Sequence, residues 1–230
     1  MKTIWIWTLA IVAVFATSCQ KDDDNYSLGK YWVGFGIVDK SGPETFTITM
    51  DDGSVLYPVA GQIHGHWYDD DGRVLVNYTI LSDKNTTNET REYYVKVNSV
   101  RKVLKKGILD ITPAIEDSIG NDPVIIRDAW VSSNQLLNFE LKYYGRTEVH
   151  FINLVKQPGV LTADDQPIEL ELRHNKNGDR QDYLFNAFVS FDLSSIQIPG
   201  LDSVRFVVKS TNYKGEEKSF EGTYRYGSDD

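Results

Sequence analysis

A single cysteine, Cys19, stands in the whole chain, so no disulfide can form within it. Also lacking is an apolar run long enough to cross a bilayer as a helix, which takes about 20 residues. The longest run, from Ile4 to Phe15, would rise only about 18 Å. The chain contains no G-x-S-x-G, no H-E-x-x-H and no phosphate-binding P-loop. Cationic excess is missing too. Against 33 Asp plus Glu there are 24 Lys plus Arg, a net charge of −9, and such a balance does not draw nucleic acid, whose binding rests on clustered cations. What is present, 41% hydrophobic and 12% aromatic residues, is the composition of a folded chain.

The N-terminal run has one preceding lysine, Lys2, and ends in the small residues Ala16, Thr17 and Ser18 directly before Cys19. Residues 1–18 therefore read as a signal peptide. In an exported chain a cysteine without a partner is a free or a modified thiol. The small residues before it resemble the lipobox of bacterial lipoproteins, in which the cysteine sulfur takes diacylglycerol and the residue becomes the acylated N-terminus. Each acyl chain contributes about 0.8 kcal/mol per buried CH₂, and two or more hold a domain stably to a membrane. Residues 19–29 form an acidic tether, and Gln20, Lys21, Asp22, Asp23 and Asp24 resemble the export tag of surface-displayed lipoproteins of the Bacteroidota. The expected location is the outer membrane, with a lipid anchor at Cys19 and the folded part facing outward.

Almost every later stretch alternates with a period of two. Ile168, Leu170 and Leu172 fall on one face while Glu169, Glu171 and Arg173 fall on the other, and Leu137, Phe139 and Leu141 alternate with Asn138, Glu140 and Lys142. Such stretches predict half-buried antiparallel strands. Turn chemistry separates them, as in Asp-Asp-Gly-Ser at 51–54 and Asn177-Gly178. The pattern predicts an all-β fold with strands near 30–38, 46–50, 55–59, 74–81, 93–97 and 103–111. A second set falls near 124–130, 136–144, 150–155, 168–173, 184–191, 204–209 and 220–226. Pro113, Gly120 and Pro123 place the seam at 112–123. The first set, at 30–112, suits an OB-like β-barrel with bends at Gly34 and Gly36, and the second, at 124–230, an immunoglobulin-like β-sandwich.

The stretch from Cys19 to Val38 resembles the start of the NigD-like lipoproteins, in which an acidic tether runs into a Tyr-Ser-Leu-Gly-x-Tyr-Trp signature. Tyr26, Ser27, Leu28, Gly29, Tyr31 and Trp32 match it, and the segment from Phe185 to Ile196 is similar to that family's C-terminal domain. The resemblance implies an N-terminal OB-type barrel followed by a β-sandwich. It supplies no catalytic residues, and it suggests a role in bacteriocin immunity.

Several groups of residues invite a chemical reading. His64 and His66, followed by Asp69 and Asp71, have the residue types of a metal site, but two ligands on one strand are too few and the aspartates make a ready hairpin turn. Lys96, Arg101, Lys102, Lys105 and Lys106 form a cationic run suited to an anionic glycan, with Tyr93 or Tyr94 as stacking platforms. Tyr31, Trp32, Phe35, Trp67 and Trp130 could line a carbohydrate platform, although barrel closure and domain packing consume aromatics first. Asp117-Ser118-Ile119 resembles the O-glycosylation sites of Bacteroidota, with Ser118 as acceptor. For a hydrolase, Asp164 and Asp165 are adjacent carboxylates with no spacing that singles them out. The sequence thus predicts a monomeric, lipid-anchored binding protein with no cofactor and no enzymatic activity. Its expected partner is a macromolecule, a bacteriocin for which it gives immunity, and the alternative is a surface glycan or nutrient.

Overall fold

The computed structural model describes residues 27–42, 45–62, 69–86, 91–132 and 135–226. Cys19, the signal peptide, His64, His66 and Trp67 lie outside the described residues. Five strands, β1 (Trp32–Lys40), β2 (Phe46–Met50), β3 (Val55–Gly61), β4 (Arg73–Thr86) and β5 (Arg91–Lys102), close into a barrel in the order β1-β2-β3-β5-β4. All neighbours are antiparallel except β3 and β5, which run parallel. Inward-facing Val38, Ile48, Leu56, Val76 and Val95 fill the interior. Gly36 lets β1 pass close over β2, since a Cβ there would stand 2.5 Å from Ile48 Cγ2 and 2.9 Å from the Thr49 carbonyl oxygen.

The sandwich begins earlier than the seam read at 112–123. β6 (Leu104–Gly107) and β7 (Leu109–Asp110) follow the barrel at once, and each joins a different sheet. Ile108 between them packs against the sandwich core, so the chain crosses from one sheet to the other there, and the single strand expected over 103–111 is two. Residues 104–112 therefore leave the barrel domain that the sequence assigned to 30–112. The stretch after them carries a short helix, α1 (Glu116–Ile119), whose Ile119 packs with Ile111 and Val155 in a small satellite core.

Seven more strands complete the sandwich: β8 (Ile125–Val131), β9 (Leu136–Gly145), β10 (Phe151–Lys156), β11 (Ile168–Asn175), β12 (Tyr183–Asp192), β13 (Ser203–Thr211) and β14 (Glu217–Arg225). One sheet has the order β14-β13-β11-β10-β7 and the other β6-β12-β9-β8. Leu137, Phe139 and Leu141 of β9 meet Leu154, Leu170 and Phe206 of the facing sheet in the core.

Alternation predicts one buried face for β9, yet both faces are covered, and Asn138 on the outer one is 2% exposed. The barrel causes this by packing on that face. Arg73 of β4 reaches across with its side chain fully buried and grips the Asp51 carboxylate through Nη1 and Nη2 at 2.5 and 2.6 Å. Its Nε donates to Ser190 Oγ at 3.1 Å and its Nη2 also donates to Asn138 Oδ1 at 2.8 Å. Phe35 lies under the guanidinium, 5.2 Å from its centre, and wedges between Trp130 and Phe188 of the sandwich. A buried ion pair is tolerated only when hydrogen bonds satisfy its remaining donors, and here the sandwich supplies the acceptors for a pair held in the barrel.

Candidate functional site

The cationic run and the acidic turn, each a candidate in the sequence, meet each other. Lys102 pairs with Asp69 at 2.8 Å and Lys105 with Asp71 at 2.5 Å. The Lys102 hydrogen bond and charge hold the Asp69 carboxyl below its usual range. Lys106 turns inward, donates to the Ile152 carbonyl at 3.0 Å and also bonds Asn153 Oδ1, and burial pulls its ammonium pKa down. Lys96 and Arg101 are exposed on β5 and make no ion pair among the described residues. The five cations therefore do not converge on one surface.

The aromatic candidates separate as well. Trp32 stacks on Tyr78 against the barrel core, Phe35 and Trp130 are taken up between the domains, and Tyr31 stands exposed. Tyr93 packs on the barrel core, while Tyr94 meets Tyr57 edge-on at 6.2 Å. Asp165 caps a short 3-10 turn, accepting from the Thr162 amide at 2.6 Å and its hydroxyl at 2.7 Å. Ser118 is exposed on α1, where its hydroxyl donates to the Ile115 carbonyl at 2.7 Å.

One polar constellation escaped the sequence reading. His150 and His174 stand on the antiparallel pair β10 and β11 and its approach, where Ile152 lies opposite His174. The Pro123 carbonyl can only accept, so His174 Nδ1 donates to it at 2.9 Å. Burial depresses the His174 pKa and favours the neutral ring, whose Nε2 then accepts from His150 Nδ1 at 2.8 Å. His150 Nε2 faces Asp179 Oδ2 at 3.1 Å. Burial pushes the Asp179 carboxyl up, but the amides of Arg146, Thr147 and Arg180 and the His150 ring together hold it well below the usual carboxylate range. Tyr143 covers both rings, at 4.5 Å from His150 and 5.3 Å from His174. Every ring nitrogen is engaged, so neither imidazole keeps a lone pair for a cation or a substrate proton. The arrangement locks two loops and the entry to β8 together.

A cleft at the edge of the sandwich is different in kind. β8 ends one sheet and β14 ends the other, and a cleft of about 570 Å³ runs between them. Its floor is the margin of the sandwich core, with Ile126 and Ala129 on one side and Phe220 on the other. The Val124 amide donates to the Thr211 carbonyl at 3.0 Å and closes one end. Arg127, Lys214 and Lys218 line the rim with Asp128. Lys218 is paired with Glu216 at 2.9 Å, whereas Arg127 and Lys214 make no ion pair among the described residues. An apolar floor with a few charged groups at its mouth is the usual make-up of a ligand site.

Two adjoining family models match this chain, the NigD-like N-terminal OB domain over residues 35–103 and the NigD-like C-terminal β-sandwich domain over residues 107–224. The chain belongs to the NigD-like family. Solved structures agree with the fold. A putative toxin-related protein from Parabacteroides distasonis is 29% identical, with a TM-score of 0.71 over 85% of this chain and 94% of that one. A protein of unknown function from Bacteroides vulgatus is 25% identical, with a TM-score of 0.70 over 87% and 94%. A NigD-like immunity protein from Bacteroides caccae shares the fold at 18% identity, with a TM-score of 0.63 over 86% and 98%. No curated protein matches the chain.

Proposed function

We propose that this NigD-like protein is lipid-anchored at the outer membrane and displayed outward, where it captures a polypeptide in the β8–β14 cleft and acts by occupancy rather than by catalysis. The cleft carries the reading, because it joins an apolar floor to two exposed strand edges and a cationic rim. The closed histidine network argues in the same direction, since its nitrogens serve the fold. Capture of a bacteriocin polypeptide at the cell surface gives this architecture a route to immunity, the role that the name of the Bacteroides caccae relative carries.

Two experiments test it in intact cells. Acylation at Cys19 predicts a mature mass raised by the lipid and removal of the domain by external protease, and a bare thiol with release into the medium contradicts anchoring. Deleting the gene is expected to sensitise cells to bacteriocins of neighbouring strains. Restoration by the wild-type chain but not by Ala129→Trp, which fills the cleft, supports capture there. Unchanged sensitivity on deletion would discard immunity, and full rescue by Ala129→Trp would move binding elsewhere.

A further inference from the structure

The two strands that flank the cleft have unlike edges. β14 pairs with β13 without a bulge from Ser203 opposite Arg225 to Thr211 opposite Glu217. Its far side pairs with no strand among the described residues and presents a row of backbone donors and acceptors about 30 Å long at ~3.4 Å per residue. Such an edge is a template for another strand unless something covers it. β8 is interrupted by a register shift between Ile126 and Asp128, and bulges of this kind guard an edge against pairing. β14 is therefore the open template, and β8 is the opposite wall.

Side chains set what the template would accept. Phe220 and Tyr224 point into the core from β14, and Lys218 lines the cleft on the same face. A segment laid along β14 would turn every second residue into the slot toward Ile126 and Ala129. Near Arg127 and Lys214, which make no ion pair among the described residues, and Lys218, which is paired with Glu216, it would meet a cationic rim, unusual on a chain of net charge −9.

We propose that β14 receives an extended segment of a partner polypeptide as an added strand. Its slot-facing residues are apolar, with a carboxylate at the end that meets Arg127 and Lys214. This rests on the cleft being the binding site, and it adds main-chain hydrogen bonding as the source of affinity and side-chain alternation as the source of specificity.

Calorimetry on the full chain in detergent, with the acetylated and amidated peptide ETVTVTV as probe, tests the proposal. The peptide is expected to bind saturably. Methylating its ladder-facing amide nitrogens keeps every side chain but removes donors, and is expected to weaken binding at least about tenfold. Replacing its glutamate by lysine is expected to weaken it several-fold. Equal binding of the methylated peptide, together with loss of binding in Ala129→Trp, would overturn strand addition while leaving the cleft as the site. Binding unaffected by Ala129→Trp would overturn the cleft itself. No heat up to about 1 mM peptide would show that the edge is no template, and so would concentration-dependent self-association that competes with the peptide and assigns the edge to a second copy.

Discussion

The barrel and the sandwich treat their strand edges in opposite ways. The barrel closes, with β4 paired to both β1 and β5, so no edge remains, and several surface charges on and beside it are met locally. Lys102 and Lys105 meet the acidic turn, and Lys84 sits 3.8 Å over the Tyr57 ring while bonding Glu92 at 3.1 Å. The sandwich leaves β8 and β14 unpaired with each other and opens an apolar slot between them. Its most chemically distinctive residues, His150, His174 and Asp179, are closed upon one another. Chemical character and availability thus part company in this molecule. Many of the described residues that attract attention in the sequence are committed to structure, with Tyr31, Lys96, Arg101 and Ser118 as exposed exceptions, while the cleft is built from backbone and ordinary apolar groups under a charged rim.

The comparison can be broken first at its cores. Phe139→Ala removes a fully buried ring from the sandwich and is expected to cost about 3–5 kcal/mol in denaturant unfolding. Next comes the joint between the two regions. Arg73→Ala removes the buried cation that Asp51, Asn138 and Ser190 bond and is expected to cost about 3 kcal/mol. It should also split a single unfolding transition into two, because the main polar tie between barrel and sandwich is gone. A single transition in the variant, with a loss under about 1 kcal/mol, would show that the network does not couple them.

Smaller effects follow from the histidines. His174 is held neutral, with its pKa below the ordinary 6.5, so the unfolded chain binds more protons than the folded one as pH falls through that value. Stability is therefore full above about pH 6.5 and declines below it, by at most about 1.4 kcal/mol per pH unit from this residue. Thermal unfolding of His174→Gln is expected to lose that slope between pH 6.5 and 5, a window bounded by the residue's ordinary value. An unchanged slope would place the titration elsewhere. Smallest of all, Ala129→Trp, at the half-buried wall of the cleft, is expected to change stability by less than about 1 kcal/mol, while abolishing binding there.

Much of the fold is legible in the sequence because strand alternation is local. β2 spans Phe46–Met50 as the alternation predicts, and Ile168, Leu170 and Leu172 are buried where they were placed. The hand-over from barrel to sandwich was not legible. Val103 to Ile111 carries no break that sequence alone reads as a change of sheet, and only the packing of Ile108 into a core built from Val124 onward divides it. The second burial of Asn138 depends on Arg73, a residue 65 positions away in the chain. The histidine network has the same origin, since 24 residues separate His150 from His174 and register alone brings them together. The cleft had no signal of its own, because an edge strand and an interior strand read alike until the order of the sheet is known.

Hydrogen exchange of the full chain, with and without the ETVTVTV peptide, tests most directly whether binding belongs to the open sandwich edge. Slowed exchange confined to Glu217–Arg225 and the facing segment Ile125–Val131, with the barrel strands unchanged, is the predicted result. Protection that falls instead on Arg73–Thr86 or Arg91–Lys102 would assign binding to the closed barrel and contradict the account.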